Sequence, residues 1–194
     1  MKRFFDFLIS LFALIVLSPL FLVISVIILV SDGTPVLFRQ KRVGRNNELF
    51  TIYKFRTMKN GTENVASAEL ENAEDKITRI GKLLRSTSID ELPQLINILN
   101  GTMSLVGPRP LIPEEDDIRK LREEYNVYSV RPGITGWAQV NGRDIITREN
   151  KALLDKEYVE KQSLGFDIKI LFMTVLKVMR RDDVREGKED KPQA

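Results

Sequence analysis

Apolar positions in this chain form one long block, then short spaced groups. No charge occurs from Phe7 to Ser31, a run bracketed by Asp6 and Asp32. A straight helix over this run, at about 1.5 Å per residue, is roughly 36 Å long, enough for a bilayer core of about 30 Å. A helix at the edge of a soluble core keeps a polar face, whereas this one is apolar all round. The run exceeds the h-region of a cleaved signal peptide, and VSDGTP offers no small-x-small cleavage site.

Pro19 divides this block into two arms, each about 18 Å long as a helix. It deletes an amide donor and frees the carbonyl of Ile15, while the Ser18 hydroxyl is placed to satisfy a nearby carbonyl. Both flanks are basic, with Lys2 and Arg3 before the run and Arg39, Lys41, Arg42 and Arg45 after it. A spanning helix ordinarily shows a one-sided bias. A helix that enters, bends at Ser18-Pro19 and returns to the same face explains both features. Spanning helices also tolerate proline, so on physical grounds the two topologies stay open.

Beyond residue 33 the pattern changes. PVLFRQ and ELFTIYKF are β-rich runs around VGRNN and predict a hairpin. NGTENVASAELENAED reads as a polar loop. TRIGKLLRSTS predicts a short amphipathic helix with Ile80, Leu83 and Leu84 on one side, and Leu92, Leu95, Ile96 and Leu99 mark another helical stripe. EEDDIRKLREEY and TRENKALLDKEYVEKQS read as charged surface helices. FDIKILFMTVLKVMRR ends the fold as either a membrane-surface helix or a core helix with a basic edge. The fold class is therefore α+β, mostly helical with a small β-hairpin. Residues 1–33 form a membrane-inserted helix, 34–182 a single catalytic or binding domain, and 183–194 a disordered tail.

Composition narrows the chemistry. The 194 residues include no histidine and no cysteine. Thiolate nucleophiles, redox pairs, the commonest catalytic base and the commonest transition-metal ligand are all excluded. A metal here would be a hard cation on oxygen ligands, magnesium above all. The net charge of +3 suits an anionic partner.

Asp90 and Glu91 head the helical stripe. Ser88 and Glu91 match a capping box; alternatively Pro93 opens the helix and the acids lie just before it. Either arrangement puts the carboxylates near a positive helix end, which favours ionisation and hence nucleophilicity toward phosphorus. Basic residues in several segments strengthen that reading. Arg85 precedes the pair, and VGPRP stiffens the turn that carries Arg109. Lys54 and Arg56 alternate on a strand, and Arg131 and Arg143 flank Gly133, Gly136 and Gly142. Glycines of that kind let backbone amides approach an anion, and arginine forks match phosphate. Neither a P-loop nor a Rossmann glycine pattern occurs.

QKRVGRNNELFTIYKFRTM, LLRSTSIDELPQLINILNGTMSLVGPRP and VRPGITGWAQVNGR, in that order, resemble the signatures of the bacterial sugar transferase family, the monotopic phosphoglycosyl transferases. The similarity runs from the apolar helix to about residue 180, and the chain is similar to the minimal members. The resemblance implies transfer of a phosphosugar from a UDP-sugar to polyprenol phosphate, undecaprenyl phosphate in bacteria, with release of UMP. Minimal members often take N-acetylated amino sugars. It further implies magnesium held by Asp90, and a re-entrant helix bent at Ser18 and Pro19. Asp90 would be the nucleophile and Glu91 its assistant, with Lys54, Arg56, Arg85, Arg109, Arg131 and Arg143 binding substrate. The implied location is the inner membrane, with the catalytic domain facing the cytoplasm. Two rival readings use the same basic surface: a nucleic-acid module stacking bases on Phe38, Tyr53 and Phe55, and a non-catalytic adaptor for anionic lipid.

Overall fold

A computed structural model describes residues 1–62, 73–142 and 146–180. The polar stretch beginning at Asn60, Arg143 and the tail predicted to be disordered lie wholly or largely outside these residues. The elements, in order, are α1 (Lys2–Asp32), β1 (Leu37–Val43), β2 (Leu49–Phe55), α2 (Ala73–Lys76), α3 (Arg79–Ser86), α4 (Gln94–Leu99), β3 (Ser104–Val106), α5 (Asp116–Glu124), β4 (Gly133–Thr135), α6 (Trp137–Val140), α7 (Arg148–Lys161) and α8 (Leu164–Arg180). The predicted architecture, mostly helical with one small hairpin, is the observed one.

Strands β1 and β2 pair antiparallel from Leu37↔Phe55 to Val43↔Leu49. Their connection turns through Asn46 and Asn47 at φ 56 and 62, a left-handed conformation that asparagine adopts readily. The face carrying Phe50 and Ile52 packs on Leu95, Ile98 and Met103. Asn97 fastens α4 to the strand edge: its side chain accepts from Tyr53 N at 3.1 Å and donates to Thr51 O at 2.7 Å. The stripe that α4 buries fully is thus Leu95 and Ile98; Leu92, Ile96 and Leu99 are only half-buried. In α3, Leu84 and Ile80 pack inward but Leu83 is exposed, contrary to its predicted side. Eight residues are too few to average out a rotation about the helix axis.

A second, parallel pair joins β3 to β4, Ser104 opposite Gly133 and Val106 opposite Thr135. Sequence periodicity does not predict it. Of the three glycines expected to approach an anion, Gly133 and Gly136 serve this packing, whereas Gly142 lies against Ile146. A Cβ on Gly133 would lie 2.1 Å from Gly107 N, and one on Gly136 would lie 2.1 Å from Gly107 O. Two backbones touch where side chains would hold them apart.

Helix α1 is turned inside out. Its fully buried residues are Asp6, Ser10, Ile24 and Ile28, while Phe12, Ile15, Leu22 and Val30 are exposed at 69, 64, 66 and 80%. Such a helix fits an apolar surround, not water. Among the described residues it is the one helix long and apolar enough to cross a membrane. Ser18 Oγ donates to Ile15 O at 2.8 Å, satisfying the carbonyl that Pro19 leaves open. Both ends of α1 rest on the globular domain. Arg3 donates to Ile98 O and Leu99 O, and Asp6 accepts from Ser104 Oγ at 2.7 Å. At the other end, Ile24 and Ile28 pack with Phe55 and Leu84.

Candidate active site

Four segments bring ionisable groups together. A 3-10 turn, Ile89–Glu91, carries the acid pair, and both acids are buried. Ser88 enters the turn at φ 56 and its side chain caps nothing, so the capping box does not form. Helix α4 starts after Pro93, the alternative that the sequence left open. Lys54 arrives on β2, Arg109 follows β3 through Pro108, and Arg85 lies on the last turn of α3. Gly81 permits that last placement: a Cβ there would lie 2.1 Å from Thr57 O, so α3 sits directly on the Thr57 backbone. One turn later Arg85 Nε donates to Thr57 Oγ1 at 2.8 Å.

The two carboxylates are treated differently. Glu91 Oε1 accepts from Lys54 Nζ at 2.7 Å and from both terminal nitrogens of Arg109 at 3.1 Å. Asp90 accepts no hydrogen bond among the described residues, yet Lys54, Arg85 and Arg109 all act on its charge. Burial pushes its carboxyl from the ordinary 3.8 up to about 6; Lys54 is the strongest opposing influence and Glu91 adds to the rise. The sequence led us to expect an environment favouring the ionised form. Removal from water outweighs the dipole of a six-residue helix. A group near 6 is still mostly ionised at neutral pH. Burial also lowers the Lys54 ammonium, against the pull of Glu91.

Other predicted residues go elsewhere. Arg56 is buried and donates to Asp32 O and Gly33 O at 2.8 Å each, and to Asn60 Oδ1 at 2.6 Å. It satisfies the carbonyls at the end of α1, where the last turn has no basic residue of its own. Arg131 donates to Gly101 O at 2.7 Å and lines a separate cavity with Arg3 and Arg45. Arg42, which sequence reasoning did not place in the site, donates to Pro110 O at 3.2 Å beneath the Arg109 turn. Burial and the nearby Arg109 lower its pKa to about 10. The signal was its place in the hairpin register, on the face it shares with Lys54. Arg122 donates to Arg109 O at 2.8 Å and is itself paired with buried Asp155, so the turn is held from behind.

The proposed base-stacking platform does not form. Phe55 is buried against Phe21, ring centroids 5.3 Å apart, and Tyr53 lies under Arg39.

The chain thus joins an outward-apolar helix, long and apolar enough to cross a membrane, to a domain with a buried, cation-ringed carboxylate pair. Residues 1–181 of the 194 match the family model described as bacterial sugar transferase. The "Uncharacterized sugar transferase EpsL" of Bacillus subtilis (strain 168) is 41% identical over 96% of this chain and 91% of its own length. The "Exopolysaccharide production protein ExoY" of Sinorhizobium fredii is 37% identical over 90% of this chain and 83% of its own. The "UDP-glucose:undecaprenyl-phosphate glucose-1-phosphate transferase" of Escherichia coli (strain K12) is 39% identical, and this chain spans 40% of it. The chain belongs to the bacterial sugar transferase family.

Proposed function

We propose that this enzyme transfers a sugar 1-phosphate from a UDP-sugar to undecaprenyl phosphate, through a covalent intermediate on Asp90, in polysaccharide biosynthesis. One observation carries the covalent route: of two adjacent buried acids, Glu91 is tied to Lys54 and Arg109, whereas Asp90 has no hydrogen bond among the described residues. A tethered carboxylate positions; an untethered one can attack. An Asp90 oxygen attacks the β-phosphorus of the donor, and the bond to the bridging oxygen breaks. UMP leaves with that electron pair, and the sugar phosphate remains as an acyl phosphate. An oxygen of the lipid phosphate then attacks the same phosphorus, forming the polyprenyl diphosphate sugar and restoring the Asp90 carboxylate. Arg109 and Arg85 supply positive charge beside the transferring group.

The donor set suits magnesium. Among the described residues no group of three acids forms a protein cage. Magnesium typically takes one or two carboxylates together with substrate phosphates, and Asp90 has the uncommitted oxygens for it. When bound it would offset charge on the diphosphate.

Both ends of α1 rest on the same domain, which supports a helix that enters the membrane and returns, with the domain on the cytoplasmic face. The exposed run Ile168, Phe172, Val175 and Met179 on α8 supports a second apolar contact with that surface. The donor sugar is the point to be read by assay. The E. coli relative is named for glucose, and similarity to minimal family members favours an N-acetylated amino sugar. A panel of UDP-sugars separates them.

The test omits the lipid acceptor. Enzyme with UDP-sugar and magnesium should release UMP in stoichiometric amount and gain the mass of a phosphosugar, removable by hydroxylamine. Asp90→Asn should lose both signals while remaining folded. No UMP until the lipid is added would establish direct attack by the lipid and overturn the covalent route. An adduct that survives in Asp90→Asn but not in Glu91→Gln would reverse the two roles.

A further inference from the structure

A second group of cations lies where the amino end of α1 meets the hairpin tip and β3. Arg3, Arg45 and Arg131 converge on a cavity of about 180 Å³, lined also by Lys2, Asp6 and Ser104. Backbone carbonyls hold each guanidinium in place. Arg3 bonds Ile98 O and Leu99 O, Arg45 Nε bonds Ser129 O at 2.8 Å, and Arg131 Nε bonds Gly101 O at 2.7 Å.

The local acids are already engaged. Asp6 accepts from Ser104 Oγ at 2.7 Å and Leu105 N at 3.3 Å, and Asp167 pairs with Lys2 at 2.6 Å. Among the described residues no ion pair joins Arg3, Arg45 or Arg131 to a carboxylate. Their mutual repulsion is felt: Arg131 is lowered by burial, then by Arg3 and Arg45. Three like charges facing one cavity need a counter-ion. Arg45 and Arg131 each spend only Nε on the protein, which leaves planar terminal nitrogens suited to phosphate.

The surroundings select the kind of phosphate. Lys2 and Arg3 stand just before the uncharged run, and Met1, Phe4 and Phe5 beside them are exposed at 93, 61 and 45%. Cations bordered by exposed apolar side chains match a phosphate that carries acyl chains. We propose that this cavity binds the headgroup phosphate of an anionic bilayer phospholipid, apart from the acid pair. The inference rests on α1 lying at the membrane, as in the function proposed above, but not on the chemistry at Asp90.

The test uses the full chain in non-ionic detergent, with neither donor nor polyprenol phosphate present. Dihexanoyl phosphatidylglycerol is titrated in and binding is read by calorimetry. Dihexanoyl phosphatidylcholine, inorganic phosphate and UMP are the comparison ligands. Phosphatidylglycerol should bind saturably, and Arg45→Gln and Arg131→Gln should each weaken it about tenfold, the loss of a charge-assisted contact. Arg45 is exposed, so its variant is expected to fold; circular dichroism and thermal unfolding check both. Equal binding of phosphatidylcholine, or no loss in either folded variant, overturns the site. Inorganic phosphate binding as tightly as phosphatidylglycerol assigns the cavity to free phosphate, and displacement by UMP assigns it to the nucleotide; either overturns the lipid. UMP release, measured separately, can fail without touching this result.

Discussion

Arg109 places both terminal nitrogens 3.1 Å from a single oxygen of Glu91, Oε1. This is not the parallel two-oxygen fork of a closed ion pair. The Arg109 side chain is 37% exposed, and its guanidinium can turn toward a phosphate while Lys54 keeps hold of Glu91. Arg109→Lys keeps the charge but loses the plane. It should weaken transition-state binding by about 1 to 3 kcal/mol, seen as a lower kcat/KM for the UDP-sugar. An unchanged kcat/KM would reduce Arg109 to a prop for Glu91.

The attack proposed for Asp90 requires its ionised form, and burial pushes that carboxyl up to about 6. Single-turnover UMP release should therefore fall on the acid side as this carboxyl takes up its proton. Lys54 is the charge that most opposes the rise, so Lys54→Met should move this limb to higher pH. A limb that stays in place in Lys54→Met belongs to another group. The same shift bears on stability. The folded carboxyl titrates above its unfolded value of 3.8, so the folded state holds the proton more tightly, and this group's contribution falls as pH rises from 3.8 to about 6.

Gly81 sets the distance between α3 and the Thr57 backbone. Gly81→Ala should force them apart at a cost of about 1 to 3 kcal/mol, visible as a lower Tm. It should also pull Arg85 from Thr57, so activity should drop more than Thr57→Val drops it. Wild-type stability in Gly81→Ala would mean that the contact gives way freely.

The chain has no cysteine of its own, so one introduced thiol reports topology without background. Cysteines placed singly at Met1 and Thr34 should both resist impermeant reagent applied outside intact inner membranes. Labelling at Met1 alone would establish a spanning helix. Pro19→Leu should favour that outcome by restoring the amide hydrogen bond to Ile15.

What could be read in advance follows from the range of the signal. The hairpin was legible because seven-residue strands show alternation, and the acid pair because charge beside an apolar stripe stands out. The β3–β4 pair was not, since three residues carry no usable period and the partner lies far along the chain. Arginine destinations were legible only in part. Lys54 and Arg109 reach the acids as expected, but Arg56 goes to carbonyls left open at the end of a helix. Which carbonyl lacks a partner is decided by tertiary structure. The Asp90 shift was misjudged for a related reason: helix position is visible in sequence, and exclusion of water is not.

The inward-facing side of α1 also fixes an order of events during synthesis. Asp6 leaves the ribosome early, but its partner Ser104 lies 98 residues later. At about 5 to 20 residues per second, that acid waits roughly 5 to 20 s for its hydroxyl. Lys2 waits longer, since Asp167 is 165 residues away. Throughout that interval the helix has its apolar side ready for lipid and its polar side unmet. On the topology proposed above, the bilayer would receive α1 before its polar side is met, and Ser104 and then Asp167 would close that side last.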